Sequence, residues 1–387
     1  MSEVRAAAEA MPVRQSKDGQ LAADGSGHVV RSMAADRSSV AGPADIPGFG
    51  KGLSLVCTGR DVHEVAAMAA DAERAGFESA WAAEFYDRSA VVAVAAMAAV
   101  TESITLGTGI AYAFGRSPLV LATEARDLDA LCGGRLILGL GTGTRRMQQD
   151  WHSLSGEHSA PRIEELVPLL RRLSRLDEGP VRHEGRFYRS HVIPTAPVAT
   201  PTRPTMPVYV AGVNTRMVRA AGAVADGLVG HPLFTPEYLR YIVRPALQAG
   251  VDRAGRAGPV PVAGYVICAV HPDEHHARRM AAAQIAFYAS VKTYDPILTL
   301  HGFTDEARAI RAARRAGDLE AMVDAVSDGM IDTIAVSGTP EQVRSQFTAR
   351  WAGLYERTLL YPPSFAGPSA TTAVLDAFAP LASTPTR

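Results

Sequence analysis

Three stretches of the chain carry side chains that could do chemistry. Glu84 closes the run Ser79-Ala80-Trp81-Ala82-Ala83 and is followed by Phe85 and Tyr86. A carboxylate at a strand end can orient a bound molecule or, when desolvated, hold a proton to give away; pairing with a nearby arginine is the alternative. Gly139-Leu140-Gly141-Thr142-Gly143 ends a second apolar run. It lacks the third glycine of a dinucleotide loop and the Lys-Ser/Thr pair of a phosphate loop. Two readings stay open: glycines that let a planar ligand approach the backbone, or a plain turn. In Val210-Ala211-Gly212-Val213-Asn214-Thr215-Arg216, Asn214 or Thr215 can cap a helix whose free N–H groups suit a phosphate, with Arg216 as counter-charge. A simple capped helix is the other reading. His271-Pro272-Asp273-Glu274-His275-His276 fits no zinc spacing and reads as a helix start. No Gly-x-Ser-x-Gly elbow follows a strand, which argues against triad hydrolysis.

Strands and helices alternate around these stretches. Strands are expected at 53–57, 79–83, 104–110, 135–141, 208–211, 227–229, 262–268 and 357–361. Asp61 caps a first helix, Pro118 opens one that runs to Leu131, and Thr339-Pro340-Glu341 opens the last major one. About eight such units imply a parallel α/β fold, a (β/α)₈ TIM barrel, rather than an open doubly wound sheet. The alternation pauses over 144–206, which reads as an insertion between strands four and five on the active-site face. Residues 1–48 have few large apolar side chains and read as a disordered, dispensable leader to a barrel domain over 49–381.

Hydrophobic residues make up 47% of the 387-residue chain and charged residues 20%, as in a soluble enzyme. The net charge of -1 supplies no basic field for nucleic acid. No secretory signal and no membrane-spanning run is expected, so a cytoplasmic location is. Cys57, Cys132 and Cys268 are too scattered for a disulfide framework or a zinc site.

In order along the chain, several segments resemble luciferase-like flavin and deazaflavin oxidoreductases. They include Ala75-Gly76-Phe77-Glu78-Ser79-Ala80-Trp81, Leu106-Gly107-Thr108-Gly109-Ile110, Arg116-Ser117-Pro118 and Gly134 to Gly143. Glu184-Gly185-Arg186-Phe187-Tyr188, Ala221 to Gly227, Ala286 to Ser290 and Ser337 to Glu341 continue the series. The resemblance implies a TIM barrel binding coenzyme F420, with FMN as the alternative. It places the tricyclic ring against a third-strand bulge at Gly109 and Ile110, where a cis peptide is expected. It places the phosphate at Gly212, Val213, Asn214 and Thr215, and leaves Gly141, Thr142 and Gly143 beside the cofactor. His231-Pro232, Tyr238-Leu239-Arg240 and Phe287-Tyr288-Ala289-Ser290 resemble actinobacterial deazaflavin-dependent members most. Phe85 and Thr144 stand where sugar-phosphate dehydrogenases of that kind carry a His and a Glu.

The reaction expected is hydride transfer from reduced F420 to an activated C=C or C=N bond of a specialised metabolite or peptide. Glu84, Tyr86, His231 and Tyr288 are the candidate proton donors. Arg60, Arg116, Arg145, Arg146 and Arg216 could meet the anionic glutamates of the deazaflavin tail. An FMN-dependent monooxygenase working with a flavin reductase is the second reading, and a flavin-binding barrel without turnover the third. Relatives often dimerise through barrel helices, so a homodimer is an assembly the resemblance allows.

Overall fold

Short apolar runs, separated by amphipathic helices, become parallel strands that close into a ring. The computed structural model describes residues 52–382, with side chains to residue 379; the leader expected over 1–48 lies outside the described residues. The strands are β1 (Gly52–Val56), β2 (Ser79–Ala82), β3 (Thr105–Thr108), β4 (Ala111–Tyr112), β5 (Leu136–Gly141) and β6 (Val181–Glu184). They continue with β7 (Arg189–Val192), β8 (Val208–Ala211), β9 (Gly227–Val229), β10 (Val262–Val270), β11 (Ala335–Gly338) and β12 (Arg357–Tyr361). The ring runs β1-β2-β3-β5-β8-β9-β10-β12, and it closes where β12 pairs with β1 from Gly52↔Arg357 to Leu55↔Leu360. All these pairings are parallel, so the chain is an eight-stranded TIM barrel.

Local chemistry explains the boundaries. The Asp61 carboxylate accepts from the His63 and Glu64 N–H groups and starts the Val62–Arg74 helix. Ser117 caps the Pro118–Leu131 helix, with proline in its first turn. The barrel interior is filled by Val56, Trp81, Ile137, Tyr209, Val229, Ala263, Tyr265 and Leu359. Trp81 fits because Gly107 stands beside it on β3; a Cβ there would lie 2.4 Å from the indole.

Three features were not anticipated. The 144–206 segment contains a helix over Arg145–His152, the antiparallel β6–β7 hairpin and, where the sequence offers one clear helix over Pro161 to Leu173, a helix over Ser159–Leu173. The last of these packs between the Pro118–Leu131 and Thr215–Val224 helices, as the barrel's own fourth helix. The expected third strand over 104–110 is broken into β3 and β4. Its break is filled by Thr108, whose Oγ1 accepts from Gly139 N at 2.8 Å and donates to Gly139 O at 2.7 Å. A hydroxyl thus replaces one rung of the β3–β5 ladder. Finally, β11 pairs with the end of β10 from Ile267↔Ala335 to Val270↔Gly338. Ile267 also partners Tyr361 of β12, so β11 lies on the opposite edge of β10.

Candidate active site

Where β3 breaks, the peptide between Gly109 and Ile110 is cis. Gly109 N donates to Ala82 O at 2.8 Å, and Ile110 O accepts from Glu84 N at 2.9 Å, so β2 holds both ends. Tyr265, rising from inside β10, donates its hydroxyl to Gly109 O at 2.5 Å. A Cβ on Gly109 would lie 2.4 Å from that oxygen. Across the mouth, the Ile110 side chain lies against Gly141, where a Cβ would be 2.6 Å from it. Glycine is required at both places because the neighbouring atoms occupy the space a side chain would need. Thr142 is half-buried beside them, and Gly143 takes a left-handed backbone (φ 65°) against the Tyr112 ring.

Glu84 stands beside this shelf as part of an ion-pair network. Its Oε2 accepts from Tyr112 N at 2.6 Å and Arg116 Nη1 at 2.9 Å, and its Oε1 from Arg116 Nη2 at 2.7 Å. Arg116 Nε faces Glu124 at 2.6 Å. The Glu84 side chain is 9% exposed and that of Arg116 16%. Donating to the Glu84 carboxylate holds the Arg116 guanidinium above its usual pKa. Both carboxylate oxygens are thereby engaged, and the pair fixes the loop from Ile110 to Arg116.

His231 and Tyr288 meet on the far side, with ring centres 4.8 Å apart, and Tyr294 lies 4.0 Å from His231. His231 Nδ1 accepts from Leu233 N at 3.2 Å. A neutral ring therefore carries its proton on Nε2. Burial pushes the His231 pKa down to about 3, so the imidazole is neutral across the physiological range. Tyr288 Oη donates to Tyr361 Oη at 3.2 Å, and Tyr361 Oη lies 2.5 Å from Ser364 Oγ, which is exposed. Burial raises both phenols above their ordinary pKa, so both keep their protons. The result is a row of hydroxyls from the mouth to the surface. Tyr86 is 50% exposed, its ring tilted against Phe85 and edge-on to Trp151, apart from this row.

The turn after β8 reaches the mouth from another side. Gly212 and Val213 lead into the Thr215–Val224 helix, whose N-cap Asn214 makes no side-chain capping bond. Its amide donates instead to Thr293 O at 3.4 Å, leaving first-turn N–H groups open to an anion. Arg216 is exposed beside them. The other arginines expected near a cofactor tail are engaged close by: Arg60 with Glu64, Arg116 with Glu84, Arg145 with Glu157 and Arg146 with Asp150. Tyr265, Tyr361 and Tyr294 were missed by sequence reasoning. Only Tyr265 left a signal, as a phenol on the inward-facing register of an apolar strand, where its hydroxyl must find a partner.

The family model for luciferase-like monooxygenases matches residues 47–356. The chain is 35% identical over 306 residues to an uncharacterised protein of Mycobacterium tuberculosis, covering 76% of this chain and 89% of that one. It is 28% identical over 290 residues to a 5,10-methylenetetrahydromethanopterin reductase of Methanopyrus kandleri, covering 70% and 81%. The solved coenzyme F420 dependent tetrahydromethanopterin reductase from that organism superposes with a TM-score of 0.73 at 24% identity, over 85% of this chain and 97% of that one. The model spans the cis shelf, the open helix N-terminus and the barrel strands that carry them, and on that match the chain belongs to the luciferase-like monooxygenase family.

Proposed function

We propose that this chain is a deazaflavin-dependent reductase that delivers a hydride to an activated C=C or C=N bond. The observation that carries the reading is the mouth itself. A backbone shelf at Gly109-Ile110, opposed by glycine at 141, suits a flat tricyclic ring. The uncapped helix start at Asn214 to Arg216 suits that cofactor's phosphate. Coenzyme F420, when bound, would supply the hydride. The relative named for reduction of a methylene pterin supports a C=N acceptor.

The chain's own part is to position, to shield and to supply a proton. Tyr265 holds the shelf from behind by its bond to Gly109 O, while the Glu84–Arg116 pair holds the loop that follows. Tyr288 gives its hydroxyl proton to the atom left electron-rich after hydride addition. The Tyr361 hydroxyl, which accepts from Tyr288 at rest, then turns to refill that phenol and takes its own proton from Ser364 and solvent. Neutral His231 offers Nε2–H as a hydrogen-bond donor beside that atom and does not lose its proton.

Two measurements test this. Equilibrium titration of the purified chain should show tighter binding of F420 than of FMN, weakening with salt. Anaerobic mixing with reduced F420 should show oxidation that depends on an enone or imine substrate. Purification with tightly held FMN and no deazaflavin binding would overturn the proposal in favour of the monooxygenase reading.

A further inference from the structure

Among the buried side-chain atoms left without a hydrogen-bond partner within the described residues, Gln148 Oε1, His152 Nε2 and Tyr188 Oη fall in one region. They come from different elements that converge. Gln148 and His152 lie one turn apart on the Arg145–His152 helix, hence on one face. Gln148, 1% exposed, donates from Nε2 to Ser159 Oγ at 3.1 Å, which joins that face to the start of the Ser159–Leu173 helix. One turn beyond Ser159 stands Arg162, its guanidinium 4.0 Å above the Phe114 ring and 5.7 Å from the centre of Tyr188. Gly115, next to Phe114, closes the loop on His152: a Cβ there would lie 3.3 Å from Nδ1. The acidic residues flanking Arg162 are engaged elsewhere, Glu157 with Arg145, Glu164 with Arg253 and Glu165 with His183. Arg162 forms no ion pair among the described residues; its guanidinium lies over aromatic faces and beside the Tyr188 hydroxyl, whose pKa burial raises more than the cation lowers it.

We propose that Arg162, Tyr188, His152 and Gln148 form a carboxylate-binding subsite beside the barrel mouth. The guanidinium fork matches the two oxygens of a carboxylate, and one cation balances one negative charge. Tyr188 Oη–H and His152 Nε2–H add donors. The Gln148 amide can turn over, accept from Ser159 Oγ and present its NH₂ as well. The subsite lies one ring away from the mouth, because Tyr112 touches His152 at 4.9 Å on one side and Gly143 on the other. A carboxylate held here can belong to the substrate or to the glutamates of a deazaflavin tail. None of its residues depends on which cofactor the mouth takes.

The probe is 4-fluorobenzoate, with acetate as a smaller companion, followed by fluorine NMR and competition on the full chain. Saturable binding is expected, weakened about tenfold or more in Arg162→Met, partly restored in Arg162→Lys and weakened several-fold in Tyr188→Phe. Circular dichroism and melting of each variant confirm that it folds. Absence of saturable binding by either probe, unchanged binding in Arg162→Met, or stronger binding of inorganic phosphate would overturn the assignment. Coenzyme F420 with and without its glutamates then separates the sources. If Arg162→Met weakens only the tailed form, the subsite holds the tail. If both forms bind unchanged while fluorobenzoate is lost, it holds the substrate's carboxylate.

Discussion

Arg116 donates two hydrogen bonds to Glu84 in a largely water-free setting, where removing one charge strands the other. Glu84→Gln should therefore destabilise the fold by about 3 kcal/mol, read by urea denaturation, and lower turnover by displacing the loop at Tyr112. Its pH–rate profile should keep the wild-type shape, since both carboxylate oxygens are engaged in holding the loop. Loss of a limb of that profile would make Glu84 the proton donor. Tyr288→Phe tests the alternative. It should cut turnover by about 10²-fold with cofactor affinity unchanged, and normal turnover would move the donor to solvent. His231 bears on stability instead. Its folded pKa of about 3 lies below the unfolded value of 6.5, so the unfolded chain binds the extra proton between them. The contribution is complete above about pH 6.5 and is lost as pH falls toward 3. His231→Gln should flatten that part of the stability-versus-pH curve.

Between β3 and β10, a hydroxyl and a glycine are matched to one another. Gly109→Ala sets a methyl 2.4 Å from Tyr265 Oη, while the next ring atom, Cζ, is 3.5 Å away. The alanine variant should bind cofactor poorly, and adding Tyr265→Phe should recover part of the loss. A double-mutant cycle with no coupling would refute this. The glycine could be singled out from sequence because of its place in a resembling motif; its tyrosine partner, buried in the unbroken run Val262 to Val270, left only the weaker signal of a phenol on an inward-facing register. Element boundaries were legible where a cap or proline marks them, as at Asp61, Pro118 and Thr339. They were not legible at β11, because the Asp328–Ile334 helix runs into Ala335 with no intervening turn residue. The β6–β7 hairpin was also missed, since its strands, Val-Arg-His-Glu and Arg-Ser-His-Val, are mostly polar and pack only one face. At the site, the glycines and Glu84 could be read locally. The Arg116 partnership and the Tyr288–Tyr361–Ser364 row join residues far apart in sequence, which no local pattern records.

For the molecule as a whole, the Ala90–Ala98 helix has no charged residue, yet Val92 is 55% exposed. Leu119 and Val120 are exposed at the start of the neighbouring Pro118–Leu131 helix. A helix apolar on every side is normally covered, and a second copy of the chain is the proposed cover. Light scattering should report a dimer, and Val92→Glu combined with Val120→Glu should shift it to monomer; a monomeric wild type would refute this. The ring closure has a consequence during synthesis. The first strand to leave the ribosome, β1, waits for the last, β12, before its second edge is paired. At about 5–20 residues per second, that wait lasts on the order of tens of seconds. Until then the nascent barrel presents an open edge that other chains can join. Chains stopped short of Arg357 should therefore collect as aggregates or on chaperones, whereas release of the full chain should close the ring in one late step.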